Sequence, residues 1–284
     1  MLNSQLTEKI EIIQEEISRF PKVAIALSGG IDSITLTRIA GLVSNDSLEV
    51  FHAISPAVPP EATERVRALS KNYGWKLIEI YSGEFSDERY LTNPINRCFY
   101  CKQSLYTAIF AISQKTSAQI FSGTNADDLL EYRPGLEAAS NLDVIHPFAK
   151  WGVNKAMIRA IALELGLGEL AKLPSSPCLS SRIETGIPIE VSTLQLVHRV
   201  ENLMHQSLKA SVVRCRIRAK SVSVELDDDS LNFLMAKDQS IVRNDLKNSI
   251  RKMLDEHHSN KGIEFVPYIT GSAFIGDKHA VARL

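Results

Sequence analysis

The sequence predicts an α/β protein, a doubly wound and mostly parallel sheet followed by a smaller C-terminal α+β domain. Three observations carry that expectation. Short apolar runs rich in Val and Ile alternate with helical patterns from residue 5 to residue 168. A Ser28-Gly29-Gly30 turn joins the first of those runs to the helix that follows it, the arrangement of an α/β ligand loop. Beyond about residue 190 the alternation stops, and two strand-like runs are instead set among helices.

Leu6, Ile10, Ile13 and Ile17 recur at helical spacing among Glu and Gln, which predicts a leading amphipathic helix over 5–19. Val23 to Leu27 is a buried strand, and the turn after it opens a helix at Ile34. A second strand is expected over 47–55, a helix over 59–73 opened by Pro60 and Glu61, and a third strand over 76–81. Residues 82–97 are polar and irregular, 102–115 are helical, and 118–123 form a fourth strand that empties into Thr124-Asn125-Ala126-Asp127-Asp128. A helix over 154–168 ends on glycine. The proline-rich, polar stretch Leu173 to Pro188 then breaks the pattern, so the first domain is expected over 1–188 and the second over 189–284. Within the second, helices are expected over 192–208, 229–237 and 241–257, a hairpin over 212–226 and a last strand over 263–269.

Composition narrows the function. With 284 residues and 44% hydrophobic content the chain can bury a sizeable core. Its 32 basic and 33 acidic residues leave a net charge of −1, so nucleic acid is not an expected partner and any anion site is local. No apolar run reaches the roughly 20 residues of a membrane span, and the acidic N-terminus lacks the basic-then-apolar pattern of a secretory signal. The expected location is cytoplasmic, where the four cysteines would stay reduced and their spacing is read for metal or catalysis.

Four constellations carry chemistry. In the first, the free N–H groups of a helix start and the glycine turn form an anion cradle, to which Ser28 and Ser33 add hydroxyl donors. Asp32 would repel a bound phosphate unless a cation lay between them, so it is read as a magnesium-side residue. The second is Gly123-Thr124-Asn125-Ala126-Asp127-Asp128. It is a common kind of Asn- and Asp-rich turn, but it leaves a strand at the same edge as the first loop. The third is Cys98 and Cys101, just ahead of a helix and flanked by Arg97 and Lys102, with Cys178 alone in Pro177-Cys178-Leu179-Ser180-Ser181-Arg182. Three thiolates suit an iron–sulfur cubane with one iron left open; the alternative is an incidental pair and a buried Cys178. The fourth is a strand placing Arg214, Arg216, Arg218 and Lys220 on one face and Cys215 on the core face. That basic face is either solvated or a bidentate phosphate clamp.

The motifs S-G-G-I-D-S, N-R-C-F-Y-C-K, G-T-N-A-D-D-L-L-E-Y-R-P-G-L-E-A-A, P-C-L-S-S-R-I and V-R-C-R-I-R occur in that order. The first resembles the PP-loop of the ATP pyrophosphatases, and the set together resembles the LarE family of ATP-dependent sulfur transferases over most of residues 20 to 225. The resemblance implies a PP-loop fold that binds ATP and Mg2+ through Ser28, Gly29, Gly30, Asp32, Ser33, Gly123, Asn125 and Asp127, with Asp128 as the alternative to Asp127 for sharing the magnesium with Asp32. It implies a small-molecule substrate, pyridinium-3,5-biscarboxylic acid mononucleotide, held by Ser181, Arg182, Arg214 and Arg216. It further implies adenylation of a substrate carboxylate and its conversion to a thiocarboxylate, a step towards the nickel-pincer nucleotide, with Asp32 among the catalytic residues.

Some members of that family sacrifice the cysteine of the P-C-L-x-S-R motif. Others hold a 4Fe-4S cluster on three cysteines, and Cys98, Cys101 and Cys178 place this chain with the cluster type, reloaded by sulfide or a sulfur donor. The family tends to form homo-oligomers. Its C-terminal G-Y-R-x-G-S-like segment is represented here only by Gly271 and Ser272 of Tyr268-Ile269-Thr270-Gly271-Ser272-Ala273. The competing readings are a PP-loop tRNA thiolase, an amide-forming synthetase, and a nucleotide-binding iron–sulfur sensor without turnover.

Overall fold

The structure is a computed structural model that describes residues 2–130, 134–175 and 177–275. Glu131, Tyr132 and Arg133 of the E-Y-R-P-G motif lie outside the described residues. In chain order the first part of the chain comprises α1 (Leu2–Ser18), β1 (Val23–Ala26), α2 (Ile31–Ser44), β2 (Leu48–Ala53), α3 (Pro60–Tyr73) and β3 (Lys76–Ile80). There follow α4 (Glu88–Leu91), α5 (Arg97–Ser113), β4 (Gln119–Ser122), α6 (Gly135–Ser140), α7 (Pro147–Lys150) and α8 (Lys155–Glu164). The remainder is α9 (Val191–Leu208), β5 (Val213–Ile217), β6 (Ser221–Leu226), α10 (Asp228–Met235), α11 (Ser240–Glu256) and β7 (Gly262–Pro267). Among the described residues no helix is long and apolar enough to cross a membrane.

The chain divides into two compact units, Met1–Asp87 with Arg97–Ser176, and Glu88–Asn96 with Pro177–Leu284. The first is α/β. Its four strands are all parallel in the order β3-β2-β1-β4, with Val23 paired to Leu48 and to Gln119. Side chains alternate across the sheet. Val23, Ile25, Val50 and Phe121 pack in one core with residues of α1, α2 and α8, while Ala24, Phe51, Ile80 and Ile120 pack in another with Tyr106 and Ile109 of α5. Helices therefore cover both faces, as strands buried on both sides require. A single bridge from Ile145 to Phe121 extends the sheet beyond β4.

The second unit holds a three-stranded sheet in the order β5-β6-β7, with β5 and β6 antiparallel as the hairpin expectation has it and β7 parallel to β6. The units change over at Ser176–Pro177, whereas the sequence expectation set its boundary at 188. Ile183 bridges to Ile217 of the second sheet, and the Arg182 guanidinium pairs with Glu201 of α9, so the proline-rich stretch from Pro177 onward is built into the second unit. The irregular stretch 82–97 divides as well. Asn93 Nδ2 donates to the carbonyls of Glu184 and Ile187, and the Ile189 N–H donates to Leu91, which accounts for the place of Glu88–Asn96 in that unit. Two further differences concern helix and strand ends. The helix expected from 102 begins at Arg97, and the strand expected to carry four cations ends at Ile217, leaving Arg218 and Lys220 beyond it.

Candidate functional site

In the first unit, β1 delivers the chain into a glycine loop at the carboxyl edge of the sheet. The Leu27 N–H still donates to the Phe51 carbonyl at 2.8 Å; the backbone then turns through Gly29 at φ +83°, a left-handed angle that glycine adopts without penalty. The two serines close on each other, with Ser28 Oγ and Ser33 Oγ 3.0 Å apart. The Ser28 N–H donates to Ser33 Oγ, the Gly30 N–H to Ser28 Oγ, and Ser33 Oγ to the Gly30 carbonyl. Gly30 occupies the N-cap position of α2 with no side-chain cap bond. The helix start thus combines backbone donors, its dipole and two hydroxyls at one place, the composition of an oxyanion site.

The loop after β4 meets this turn directly. A Cβ on Gly123 would lie 2.7 Å from the Ser33 nitrogen and 2.9 Å from the Asp32 carbonyl carbon, so only glycine allows the approach. Asn125 is 3% exposed and links the two loops, donating from Nδ2 to Asp32 Oδ2 at 3.1 Å while its Oδ1 accepts from the Asp127 and Asp128 N–H groups. Lys155, which the sequence reading missed, completes the network. Its Nζ lies 2.5 Å from Asp32 Oδ1, and its backbone N–H donates to Asp127 Oδ2 at 2.9 Å. A cation in the first turn of a helix opposes the helix dipole, and that mismatch at Lys155, just after the N-cap Asn154, was its one signal in the sequence. Asp32 and Asp127 are carboxylates of the kind Mg2+ takes alongside phosphate oxygens. Both Asp32 oxygens, however, already have partners, Oδ1 the Lys155 ammonium and Oδ2 the Asn125 amide, so Mg2+ there would take the place of one of them.

From the other side α3 holds the loop. The buried His52 ring bridges the Leu27 carbonyl through Nδ1 at 2.8 Å and Thr63 Oγ1 through Nε2 at 2.9 Å. Burial lowers the His52 pKa, which favours the neutral ring whose Nδ1–H donates to Leu27. Arg65 Nη1 donates to the Gly29 carbonyl at 2.8 Å. Neither residue carries a motif that would have announced it.

The cysteines divide between the units. Cys98 and Cys101 lie within the opening turns of α5 rather than ahead of a helix, and their spacing of three sets both half-buried thiols on one helical face. Cys178 is exposed and belongs to the second unit. Among the described residues no group of three or more His, Cys, Asp or Glu side chains is gathered to hold a metal ion, so neither unit by itself assembles such a set. Cys215 is fully buried, as its place on the core face of a strand predicts, and burial pushes its thiol far above the ordinary range.

In the second unit the substrate-side candidates form a buried ionic cluster. Arg182 Nε and Nη2 donate to the two oxygens of Glu201, both at 2.9 Å, and Nη1 donates to the carbonyls of Pro177 and Cys178 and to Ser181 Oγ. Arg182 therefore fastens the Cys178 segment to α9. Arg216 Nε donates to Glu225 at 3.0 Å and Nη1 to the Ser181 carbonyl at 3.1 Å. Arg214 Nη1 donates to the Val213 carbonyl, and its guanidinium stands 5.9 Å from the centre of the Tyr268 ring. The solvated basic row is thus corrected: Arg214 is 8% and Arg216 3% exposed, and both are engaged with the protein. Burial lowers the pKa of both, and repulsion from Arg182 lowers them further. Burial works against the charge of Arg182 too, but the pairing with Glu201 outweighs it and raises the pKa. Arg182, Arg214 and Arg216 stand against Glu201 and Glu225, the latter also shared with Arg218, so this buried cluster carries excess positive charge suited to an anion.

Ser28, Gly29, Gly30, Asp32, Ser33, Gly123, Asn125 and Asp127 are accordingly brought together in the first unit. Ser181, Arg182, Arg214 and Arg216 are brought together in the second. No family model matches the chain. Three relatives do. The Lactiplantibacillus plantarum protein named pyridinium-3,5-bisthiocarboxylic acid mononucleotide synthase is 27% identical over 221 residues, covering 77% of this chain and 79% of that protein. The Methanocaldococcus jannaschii protein MJ0830 is 27% identical over 223 residues, 78% of this chain and 83% of that protein. The Synechocystis protein slr1717 is 31% identical over 227 residues, 80% of this chain and 84% of its own length. At that identity and coverage, the chain belongs to the same protein family as Synechocystis slr1717, with the L. plantarum synthase as a more distant homologue.

Proposed function

We propose that the chain is a LarE-type, ATP-dependent sulfur transferase acting on pyridinium-3,5-biscarboxylic acid mononucleotide. The observation that carries the reading is the glycine loop at the start of α2 joined through Asn125 to Asp32 and Lys155, an anion cradle with its own cation at the carboxyl edge of a parallel sheet. The homology to the L. plantarum synthase supports the choice of substrate.

In this reading a substrate carboxylate oxygen attacks the α-phosphorus of ATP, the bond to the bridging oxygen breaks and pyrophosphate leaves. A sulfur nucleophile then adds to the activated carbonyl carbon, and AMP departs with the former carboxylate oxygen, leaving a thiocarboxylate. Ser28, Ser33 and the first N–H groups of α2 hold the departing phosphates, and Lys155, oriented by Asp32, stabilises the negative charge that builds on them. Asp32 and Asp127 are the oxygen donors that would hold Mg2+, which supplies further charge neutralisation at the phosphates. Cys98, Cys101 and Cys178 are the thiolates that would hold a 4Fe-4S cluster in this reading, and such a cluster would supply the sulfide. Arg214 and Arg216 offer positive charge to the substrate phosphate, and Arg182 sets the backbone that carries Cys178.

The test is anaerobic incubation with ATP and the pyridinium nucleotide, with AMP, pyrophosphate and the sulfur-for-oxygen mass change followed together. Visible and EPR spectra of the wild type and of Cys178→Ala accompany it. Coupled AMP and thiocarboxylate formation supports the reading. ATP bound but never cleaved would overturn it, and a wild type without iron and sulfide would remove the cluster from it.

A further inference from the structure

The peptide between Gly29 and Gly30 is the most easily inverted element of the loop. Turning it over changes ψ of Gly29 and φ of Gly30, and the second angle would swing from −82° into the positive region that only glycine adopts freely. In the observed orientation the Gly30 N–H points at Ser28 Oγ, inside the serine pair, and the Gly29 carbonyl points the other way to Arg65 on α3. In a trans peptide the C=O and N–H are opposed, so whatever holds the carbonyl on one side also aims the N–H on the other. The inverted peptide would turn a carbonyl oxygen towards the anion cradle. Two adjacent glycines leave that inversion sterically open, so the chain needs something else to forbid it.

We infer that Arg65 is a positioning residue of the phosphate loop: by holding the Gly29 carbonyl it locks the Gly29–Gly30 peptide with the Gly30 N–H turned to the phosphates. Two further contacts from α3 and β2 support this role. The Ala62 carbonyl would lie 2.9 Å from a Cβ on Gly29, which sets the helix against the loop at that residue, and His52 ties the Leu27 carbonyl to Thr63. Arg65 is half-buried with its guanidinium on the loop backbone, whereas its neighbour Arg67 is exposed and pairs with Glu79 on β3. The inference rests on the reading of the loop as the site of the ATP phosphates.

Calorimetric titration of the full chain with inorganic pyrophosphate and, separately, with AMP tests it. Arg65→Met should weaken pyrophosphate binding roughly tenfold or more, the scale of one charge-assisted hydrogen bond, and leave AMP binding and the melting temperature close to wild type. Arg65→Lys, which keeps a charged donor, should recover most of the loss. Arg67→Met removes the same charge from the same helix without the loop contact and should bind pyrophosphate within about twofold of wild type. Should Arg65→Met fail to fold, Arg65→Gln, a weaker neutral donor of similar reach, is expected to lose pyrophosphate affinity relative to AMP. Equal loss for both ligands, or unchanged pyrophosphate binding in a folded variant, overturns the positioning role alone. A wild type that binds neither ATP nor pyrophosphate overturns the phosphate-loop reading, and this inference with it.

Discussion

Replacing Arg182 with methionine is expected to destabilise the second unit well before it affects any ligand. The side chain is 2% exposed, and its loss removes two charge-assisted bonds of 2.9 Å to Glu201 together with those to the Pro177 and Cys178 carbonyls. Breaking a buried pair from one side costs about 3–5 kcal/mol, because the remaining charge is left without compensation. Two features place this case towards the lower end. Glu201 keeps the Cys215 N–H at 2.9 Å, and Arg214 and Arg216 are relieved of repulsion from a neighbouring guanidinium. At about 4 °C per kcal/mol for a unit of this size, a loss of about 3–4 kcal/mol should lower the melting temperature by roughly 12–16 °C. The double variant Arg182→Met, Glu201→Met removes both charges and should regain part of that loss, since neither charge is left uncompensated although the Cys215 N–H loses its acceptor. Thermal denaturation followed by far-ultraviolet circular dichroism reads both. A single variant melting within about 2 °C of wild type, or a double variant no more stable than the single, would refute the claim that Arg182 is chiefly an anchor for the Cys178 segment.

Two further outcomes are expected. Lys155→Met leaves the Asp32 carboxylate beside the proposed phosphate cradle without its cation and should lower kcat/KM for ATP roughly 10- to 100-fold in an AMP-release assay. A kcat/KM for ATP within about twofold of wild type would mean that Lys155 does not serve the phosphates. The pH dependence follows from His52, whose pKa burial lowers below its unfolded value. Its contribution is complete above about pH 6.5 and is lost as the pH falls through the lower folded pKa, where the unfolded chain binds the proton more readily. His146 is shifted the same way, chiefly by burial, and adds to the slope. Melting temperature should therefore drop on acidification below about pH 6.5, and His52→Asn should flatten that drop while lowering stability at neutral pH.

Local pattern determined much of this protein. The alternation of short apolar runs with helical stretches determined the parallel sheet, because strands covered on both faces must be apolar throughout and the helices between them need only one apolar side. The order Ser28 to Ser33 determined a glycine turn opening a helix, since the turn, the two glycines and the helix start are consecutive in the chain. Cys215 was legible as a core residue from strand alternation alone. The domain boundary was not, because the proline-rich stretch looks like a linker until Arg182, Ile183 and Asn93 find their partners in Glu201, Ile217 and Glu184.

Tertiary structure alone decided which charges meet. Lys155 stands 123 residues from Asp32 and Arg65 stands 36 from Gly29. No period or spacing relates such positions; the sheet order β3-β2-β1-β4 and the helices on its faces do. The same holds for the arginines of β5. Their alternation says only that they share a face, and whether that face is wet depends on what lies over it. Here Glu225 of the neighbouring strand and the Ser181 and Ile269 carbonyls receive Arg216 and make it part of the interior. A buried charge requires a partner, and a sequence read locally does not say where in the fold that partner will be.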